Sequence, residues 1–153
     1  MSSPIQVLTL LMLALPLLLV VVGHGMGPLM FAALLVAAIY AWIWLRFRPR
    51  LFVIRPDALD VIWPLKRRRI PRAGVSSVRL IEGRDLRNEL GWCLRVGAGG
   101  LWGGFGWLWT GRRGIVQMYV SRTDRFVLIE RLHERPWLIT PADPEAFLRA
   151  LSS

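Results

Sequence analysis

The sequence predicts a two-helix membrane hairpin followed by a small, mostly β domain, a bent barrel of about seven short strands with a C-terminal helix plugging one open end. Three observations predict it. The first 45 residues contain no Asp, Glu, Lys or Arg, so all 20 basic and all 10 acidic side chains lie beyond them. From Leu51 onward the apolar period falls from helical to two. The chain then ends in a helix start followed by Phe147, Leu148 and Leu151, an apolar stripe that needs a sheet to cover.

The charge-free segment divides into two apolar runs, Pro4 to Val22 and Pro28 to Leu45, separated by Gly23-His24-Gly25-Met26-Gly27. At 1.5 Å rise per residue each run spans roughly 27 Å, close to the ~30 Å hydrocarbon core of a bilayer. Pro16 is expected to kink the first helix. Pro28 suits the first turn of the second, where a missing N–H costs nothing, and the three glycines allow a tight reversal. The spacing of Gly23 and Gly27 also fits a helix-pairing motif, with the turn reading favoured. A cleaved signal peptide would want a basic start and a small-residue cleavage site, which Met1-Ser2-Ser3-Pro4 and Val20-Val21-Val22-Gly23 do not offer. A buried hairpin is disfavoured because too little chain remains to wrap two helices that are apolar on every face.

Orientation follows from the flank of the second run. Tyr40, Trp42 and Trp44 stand where amphipathic rings favour the headgroup layer, and Arg46, Arg48 and Arg50 follow as a basic cluster retained on the cytoplasmic side. These six are the expected interface anchors. Both termini are then cytoplasmic, residues 1–46 form the hairpin (helices at about 4–22 and 28–45), and residues 47–153 form one domain. That domain holds the whole formal charge of +10, with Lys66 its only lysine. Such a balance favours anionic partners. Beside the inner leaflet, lipid phosphate is the partner it cannot avoid, at up to ~1 kcal/mol per basic residue. Nucleic acid is the weaker reading. The lone Cys93 excludes an intramolecular disulfide and is expected to be a small buried hydrophobe.

Within the domain, Leu51-Phe52-Val53-Ile54-Arg55 and Leu59-Asp60-Val61-Ile62-Trp63 read as a hairpin around Pro56-Asp57-Ala58. Pro64 breaks or bulges the second strand. Leu65 to Ile70 continues extended, and Lys66, Arg67, Arg68 and Arg69 on its two faces restrict it to an edge or surface. Val75 to Ile81 is the next strand. The stretch from Glu82 to Leu94 is ambiguous, since Leu86, Leu90 and Leu94 share a helical face that Gly83 and Gly91 punctuate. Trp107 to Thr110 and Ile115 to Val120 flank the connection Gly111-Arg112-Arg113-Gly114. Arg125 to Glu130 follows, and Trp137-Leu138-Ile139 closes the sheet. Thr140 caps the final helix, Pro141 takes its first position, and Asp143 and Glu145 complement its dipole.

Catalytic chemistry finds little to work with. His24 and His133 are far apart in the design, so a metal site is not expected. Cys93 or a serine beside His133 and Glu134 would be the only nucleophilic arrangement, and a solvated loop is the favoured reading there. The glycine-rich run lacks a Lys-Ser or Lys-Thr pair and the third glycine of a dinucleotide turn, so it binds no phosphate cofactor. It reads instead as a lip facing membrane or partner. Trp102, Phe105, Trp107 and Trp109 would offer rings to the headgroup layer, with Arg112 and Arg113 following to contact phosphate. Trp107 and Trp109 share one face of an extended segment, for which core packing is favoured. Trp102 and Phe105 are the better surface candidates, together with Lys66 to Arg69.

Four segments carry a resemblance: Val53-Ile54-Arg55-Pro56-Asp57-Ala58-Leu59, Ile70-Pro71-Arg72-Ala73-Gly74-Val75-Ser76-Ser77-Val78, the run from Gly99 to Gly106, and Leu138-Ile139-Thr140-Pro141-Ala142-Asp143-Pro144-Glu145-Ala146-Phe147-Leu148. In their order and spacing the domain resembles the pleckstrin-homology-like (PH-like) domains of bacterial membrane-anchored proteins. The resemblance implies a bent seven-stranded barrel capped by a C-terminal helix, in a multi-pass protein of the bacterial inner membrane. It implies a scaffold or binding module, not an enzyme, that engages the anionic leaflet or a protein partner. The alternative is an accessory or assembly subunit of a larger membrane complex. The short, acid-bearing turn Pro56-Asp57-Ala58 departs from the basic loop of eukaryotic phosphoinositide binders, which argues against an inositol-phosphate pocket at that position.

Overall fold

The computed structural model describes residues 3–24 and 26–152. Helices α1 (Ser3–Val22) and α2 (Gly27–Phe47) form a hairpin, each long and apolar enough to cross a membrane and each with nearly all of its side chains uncovered. Helix α1 runs unbroken through Pro16. A Cβ on Gly23 would come within 2.6 Å of both the Leu19 carbonyl oxygen and Leu29 Cβ, so the reversal requires glycine there. Gly25 lies outside the described residues. Pro28 occupies the first turn of α2, after an extended Met26.

The domain contains two open sheets. Strands β1 (Leu51–Ile54), β2 (Ala58–Ile62) and β3 (Arg67–Pro71) make an antiparallel sheet in chain order. Strands β4 (Val75–Ile81), β5 (Cys93–Gly99), β6 (Gly104–Thr110), β7 (Gly114–Val120), β8 (Phe126–Arg131) and β9 (Glu134–Ile139) form the second, in the order β4-β8-β9-β7-β6-β5. The described residues therefore hold nine strands in sheets of three and six, where about seven in one bent barrel were expected. Strand β5 comes from the ambiguous stretch, and a helix of five residues, α3 (Leu86–Leu90), precedes it. Gly91, at φ 76°, ends that helix, so Leu94 joins the strand instead of the helical face of Leu86 and Leu90.

Strand β9 does not close the sheet. It lies in the middle, antiparallel to β8 and parallel to β7. Trp137 and Ile139 point into one core and Leu138 into the other, so the segment needs neighbours on both sides. The first core fills the space between the sheets, where Trp63, Tyr119 and Trp137 meet edge to face with centroids 5.3–6.3 Å apart. The second covers the opposite face of the larger sheet with Leu90, Leu108, Val116, Met118 and Leu128.

Two sequence expectations move by a few residues. Leu65 and Lys66 sit in the β2–β3 turn instead of a strand, because Pro64 ends the ladder and the Trp63 N–H donates to the Lys66 carbonyl at 2.8 Å. The last helix, α4 (Pro144–Ser152), starts later than Thr140-Pro141 predicts. Asp143 Oδ1 accepts the Ala146 N–H at 2.9 Å, while the Thr140 hydroxyl is taken by the Ser121 N–H at 2.8 Å. Helix α4 packs on β4 and β8 of one sheet and β1 of the other, with Phe147 edge-on to Phe52 and Leu151 completing the core.

Candidate functional site

Strand direction sorts the domain into an end near the hairpin and an end away from it. The connection Arg48-Pro49-Arg50 leads directly from α2 into β1, and Leu51 pairs with Ile62. The β2–β3 turn therefore returns to the hairpin, where Trp63 Nε1 donates to the Phe47 carbonyl at 3.2 Å. Lys66 Nζ stands 4.4 Å over the Trp63 ring, and its pKa is lowered by burial first and then by Arg46 and Arg68 nearby. The Arg48 guanidinium lies 4.3 Å over Trp44. Tyr40 is half-buried, and Trp42 and Trp44 are exposed along α2.

The glycine-rich run also reaches the hairpin. Residues Gly100-Leu101-Trp102-Gly103 form the tip of the β5–β6 hairpin, and the Trp102 ring meets Trp44 edge-on at 4.6 Å. The Trp102 N–H donates to the Thr9 hydroxyl of α1 at 2.9 Å. That hydroxyl lies 2.7 Å from the Ile5 carbonyl and 3.1 Å from the Gly100 carbonyl, and its single proton serves one of them at a time. Glycine suits this approach at Gly100, whose φ of 101° is left-handed and where a Cβ would come within 3.1 Å of Met12 Sδ and 3.2 Å of Leu8 on α1. Thr9 escaped the sequence analysis, yet it and Gln6 are the only polar side chains between Pro4 and Val22.

The expected lip does not form as one surface. Seven-residue β6 separates Trp102 from Arg112 and Arg113 by about 20 Å, at ~3.3 Å per residue. Phe105 is 1% exposed and belongs to the interior, paired in register with Tyr119, which packs against the core between the sheets. Trp107 and Trp109 are 45% and 48% exposed, where core packing was favoured. The β5–β6 register pairs them with Val96 and Leu94, which makes an outward apolar face extended by Trp92. Cys93 is exposed on β5, an edge strand, and not buried; its partial burial still pushes the thiol pKa up.

Most of the basic candidates are paired internally. Arg67 and Arg55 both hold the buried Asp60, Arg69 meets Asp57, and Arg68 meets Glu134 at 2.8 Å. The Arg67 hydrogen bond, followed by that of Arg55, holds the Asp60 carboxyl below the usual range although burial opposes it. Arg113 contacts Glu130 and lies 3.1 Å from Glu89, and Arg112 donates to the Asn88 carbonyl at 2.6 Å. Glu130 is held low by the Ser77 hydroxyl first, against burial, with Arg113 and Arg79 adding to it. Among the described residues, Arg46, Arg48, Arg50 and Lys66 have no carboxylate within ion-pair distance. His133 sits at φ 61° in the β8–β9 turn, and the described residues bring together no three metal-ligating side chains.

Two open sheets bridged by a C-terminal helix follow an apolar helical hairpin. The Bacterial PH domain model matches residues 50–153, and the chain belongs to that family. PH domains are typically non-catalytic binding modules. No curated protein and no solved structure matches the chain.

Proposed function

We propose that the chain is a membrane-anchored binding module without enzymatic activity, whose basic PH-like domain engages the anionic inner leaflet. Residues 1–46 span the bacterial inner membrane as a hairpin with both termini cytoplasmic, and residues 47–153 form the cytoplasmic domain. The observation that carries this reading is the sorting of charge. The cations beside the end of α2 (Arg46, Arg48, Arg50 and Lys66) are free of carboxylate partners among the described residues, whereas Arg67, Arg68, Arg69 and Arg113 are ion-paired and Arg112 donates to the Asn88 carbonyl. Tyr40, Trp42 and Trp44 supply the headgroup-level rings, with Trp102 stacked against them through Trp44.

Cys93 gives a direct test of topology, since it is exposed and the only cysteine in the chain. A membrane-impermeant maleimide should leave it unlabelled in intact spheroplasts and label it after lysis. Labelling before lysis sinks the proposed orientation.

The alternative, an accessory subunit of a larger membrane complex, has its own observation. The face formed by Trp92, Leu94, Val96, Trp107 and Trp109 is an exposed apolar patch on an edge of the sheet, of the kind that marks protein interaction sites. Under that reading a partner survives purification in mild detergent, and Trp107→Ser with Trp109→Ser releases it.

A further inference from the structure

The six-stranded sheet is wider than what covers it. On the face that packs against the smaller sheet, Phe105 of β6 and Tyr119 of β7 lie under the first core, but the next two rungs run beyond it. Val96, Trp107 and Gln117 form one rung and Leu94, Trp109 and Ile115 the other, and the four residues on β5 and β6 are exposed. Trp92 closes the patch over Gly111, where a Cβ would come within 2.6 Å of its ring. Neither rung holds an ionisable side chain, although the chain carries 20 Lys and Arg. An anionic partner would find no cation on this face to pair with, so its complement is another uncharged apolar surface.

Size and position select among such surfaces. Three tryptophans of up to ~250 Å² each, about half exposed, together with Leu94 and Val96 leave roughly 500 Å² of apolar surface per copy. A stable pair formed in solution buries ~800 Å² on each side. The shortfall suits a partner already held in the same plane, because confinement raises the effective concentration without new contacts. A second copy meets that condition, since its own hairpin sets its face at the same height.

Symmetry then decides how the copies meet. Two copies that enter one bilayer in the same orientation are related by a twofold axis along the membrane normal. Strands β5 and β6 have one end at the hairpin, where the Trp102 N–H donates to Thr9, and the other end seven residues away. Antiparallel pairing of two β5 edges would turn the second hairpin to the opposite end of the dimer, out of the bilayer. Face-to-face packing keeps both hairpins at one end, because a twofold axis running along the strands brings each apolar face onto its copy.

We propose that the chain forms a homodimer in which the face of Leu94, Val96, Trp107 and Trp109 packs on the same face of a second copy. The proposal rests on the membrane-anchored reading above, and it assigns to a second copy the face that the accessory-subunit reading gives to an unlike partner.

The test uses the full chain in its native membranes. Cys93 is a built-in control, because it is exposed on β5 but alternates to the opposite face from Leu94 and Val96. Oxidation with copper phenanthroline should crosslink Val96→Cys or Leu94→Cys, each combined with Cys93→Ser, at least tenfold more than the unaltered chain crosslinks through Cys93. Trp107→Glu sets like charges against each other and should weaken the dimer at least tenfold in mild detergent, as read by analytical ultracentrifugation. Val96→Lys should do the same, and circular dichroism of both should be unchanged because both positions are exposed. A monomer with no crosslink at either position, a dimer indifferent to both charge substitutions, or Cys93 crosslinking as well as Val96→Cys overturns the proposal. So does an unlike protein held in place of the second copy and released by Trp107→Glu, which returns the face to the accessory-subunit reading. Alkaline extraction of the same membranes separates the dimer from the anchor. A chain that resists extraction but does not crosslink ends the dimer and leaves the anchor standing, whereas one that is extracted yet crosslinks ends the anchor and supports the face pairing.

Discussion

The two ends of the domain use arginine in opposite ways. Away from the hairpin, most guanidinium groups with a contact are spent inside the protein: on Asp57, Glu134, Glu130 and Glu89, and on the carbonyls of Ala150 and Leu151 that end α4, while Arg87 has no carboxylate within ion-pair distance among the described residues. Beside the hairpin, Arg46, Arg48, Arg50 and Lys66 stack on rings or stand free of carboxylates among the described residues. Net charge alone does not reveal this division. A basic sequence tells how many cations exist, while the fold decides which remain available to an outside partner.

The largest perturbation asks whether the two ends belong to one folding unit. Trp137 is fully buried between them, in contact with Trp63 from the near end and within cation–π range of Arg68 and Arg131. Trp137→Ala is expected to cost about 3–5 kcal/mol. Chemical denaturation followed by tryptophan fluorescence and by far-UV circular dichroism should then shift together. Separate transitions would show that the ends fold independently.

Next in size is a pair of substitutions with opposite readouts. Arg46→Ala with Lys66→Ala should weaken selectivity for anionic lipid by up to ~1 kcal/mol per residue, and this loss should disappear at high salt. Stability should change by no more than about 1 kcal/mol, since the cation–π contact of Lys66 with Trp63 is lost but no carboxylate partner is. Arg69→Ala, which removes the partner of Asp57 at the far β1–β2 turn, should do the reverse, costing up to ~1 kcal/mol of stability and leaving lipid selectivity untouched. A loss of lipid selectivity in Arg69→Ala would erase the contrast between the ends.

The smallest effect is on the acid limb of stability. The folded pKa values of Asp60 and Glu130 are depressed, so their contribution is complete above the unfolded carboxylate range of about 4 and fades as pH falls through the lower folded values. Thermal unfolding between pH 7 and pH 3 should show this decline, and Asp60→Asn should flatten part of it. An unchanged profile in Asp60→Asn would remove Asp60 from the account.

Local signals were legible in the sequence and long-range ones were not. The absence of charge before Arg46 announced the hairpin, and period-two alternation announced β1, β2, β4, β7 and β8, because each pattern depends only on neighbours in the chain. Strand β5 was hidden by its glycines, which carry no side chains to alternate. The central place of β9 was hidden because its parallel pairing with β7 joins residues about twenty apart in the chain. Thr140-Pro141 and Asp143-Pro144 are two equally good helix starts, and only Ser121, which occupies the Thr140 hydroxyl, decides between them. The candidate surface was half legible for the same reason. The anchors at the end of α2 are sequence neighbours, whereas Arg112 and Arg113 are parted from Trp102 by the length of β6.

The contact between Thr9 and the β5–β6 tip gives the domain a second mooring. The Arg48-Pro49-Arg50 connection alone would act as a swivel, but a tip hydrogen-bonded to α1 and stacked on α2 removes the rotation about that joint. A sheet tied to both helices should follow a change in their geometry. A change of a few degrees in the angle between α1 and α2 would reappear, magnified by the length of β6, as a displacement of the far turn around Arg112.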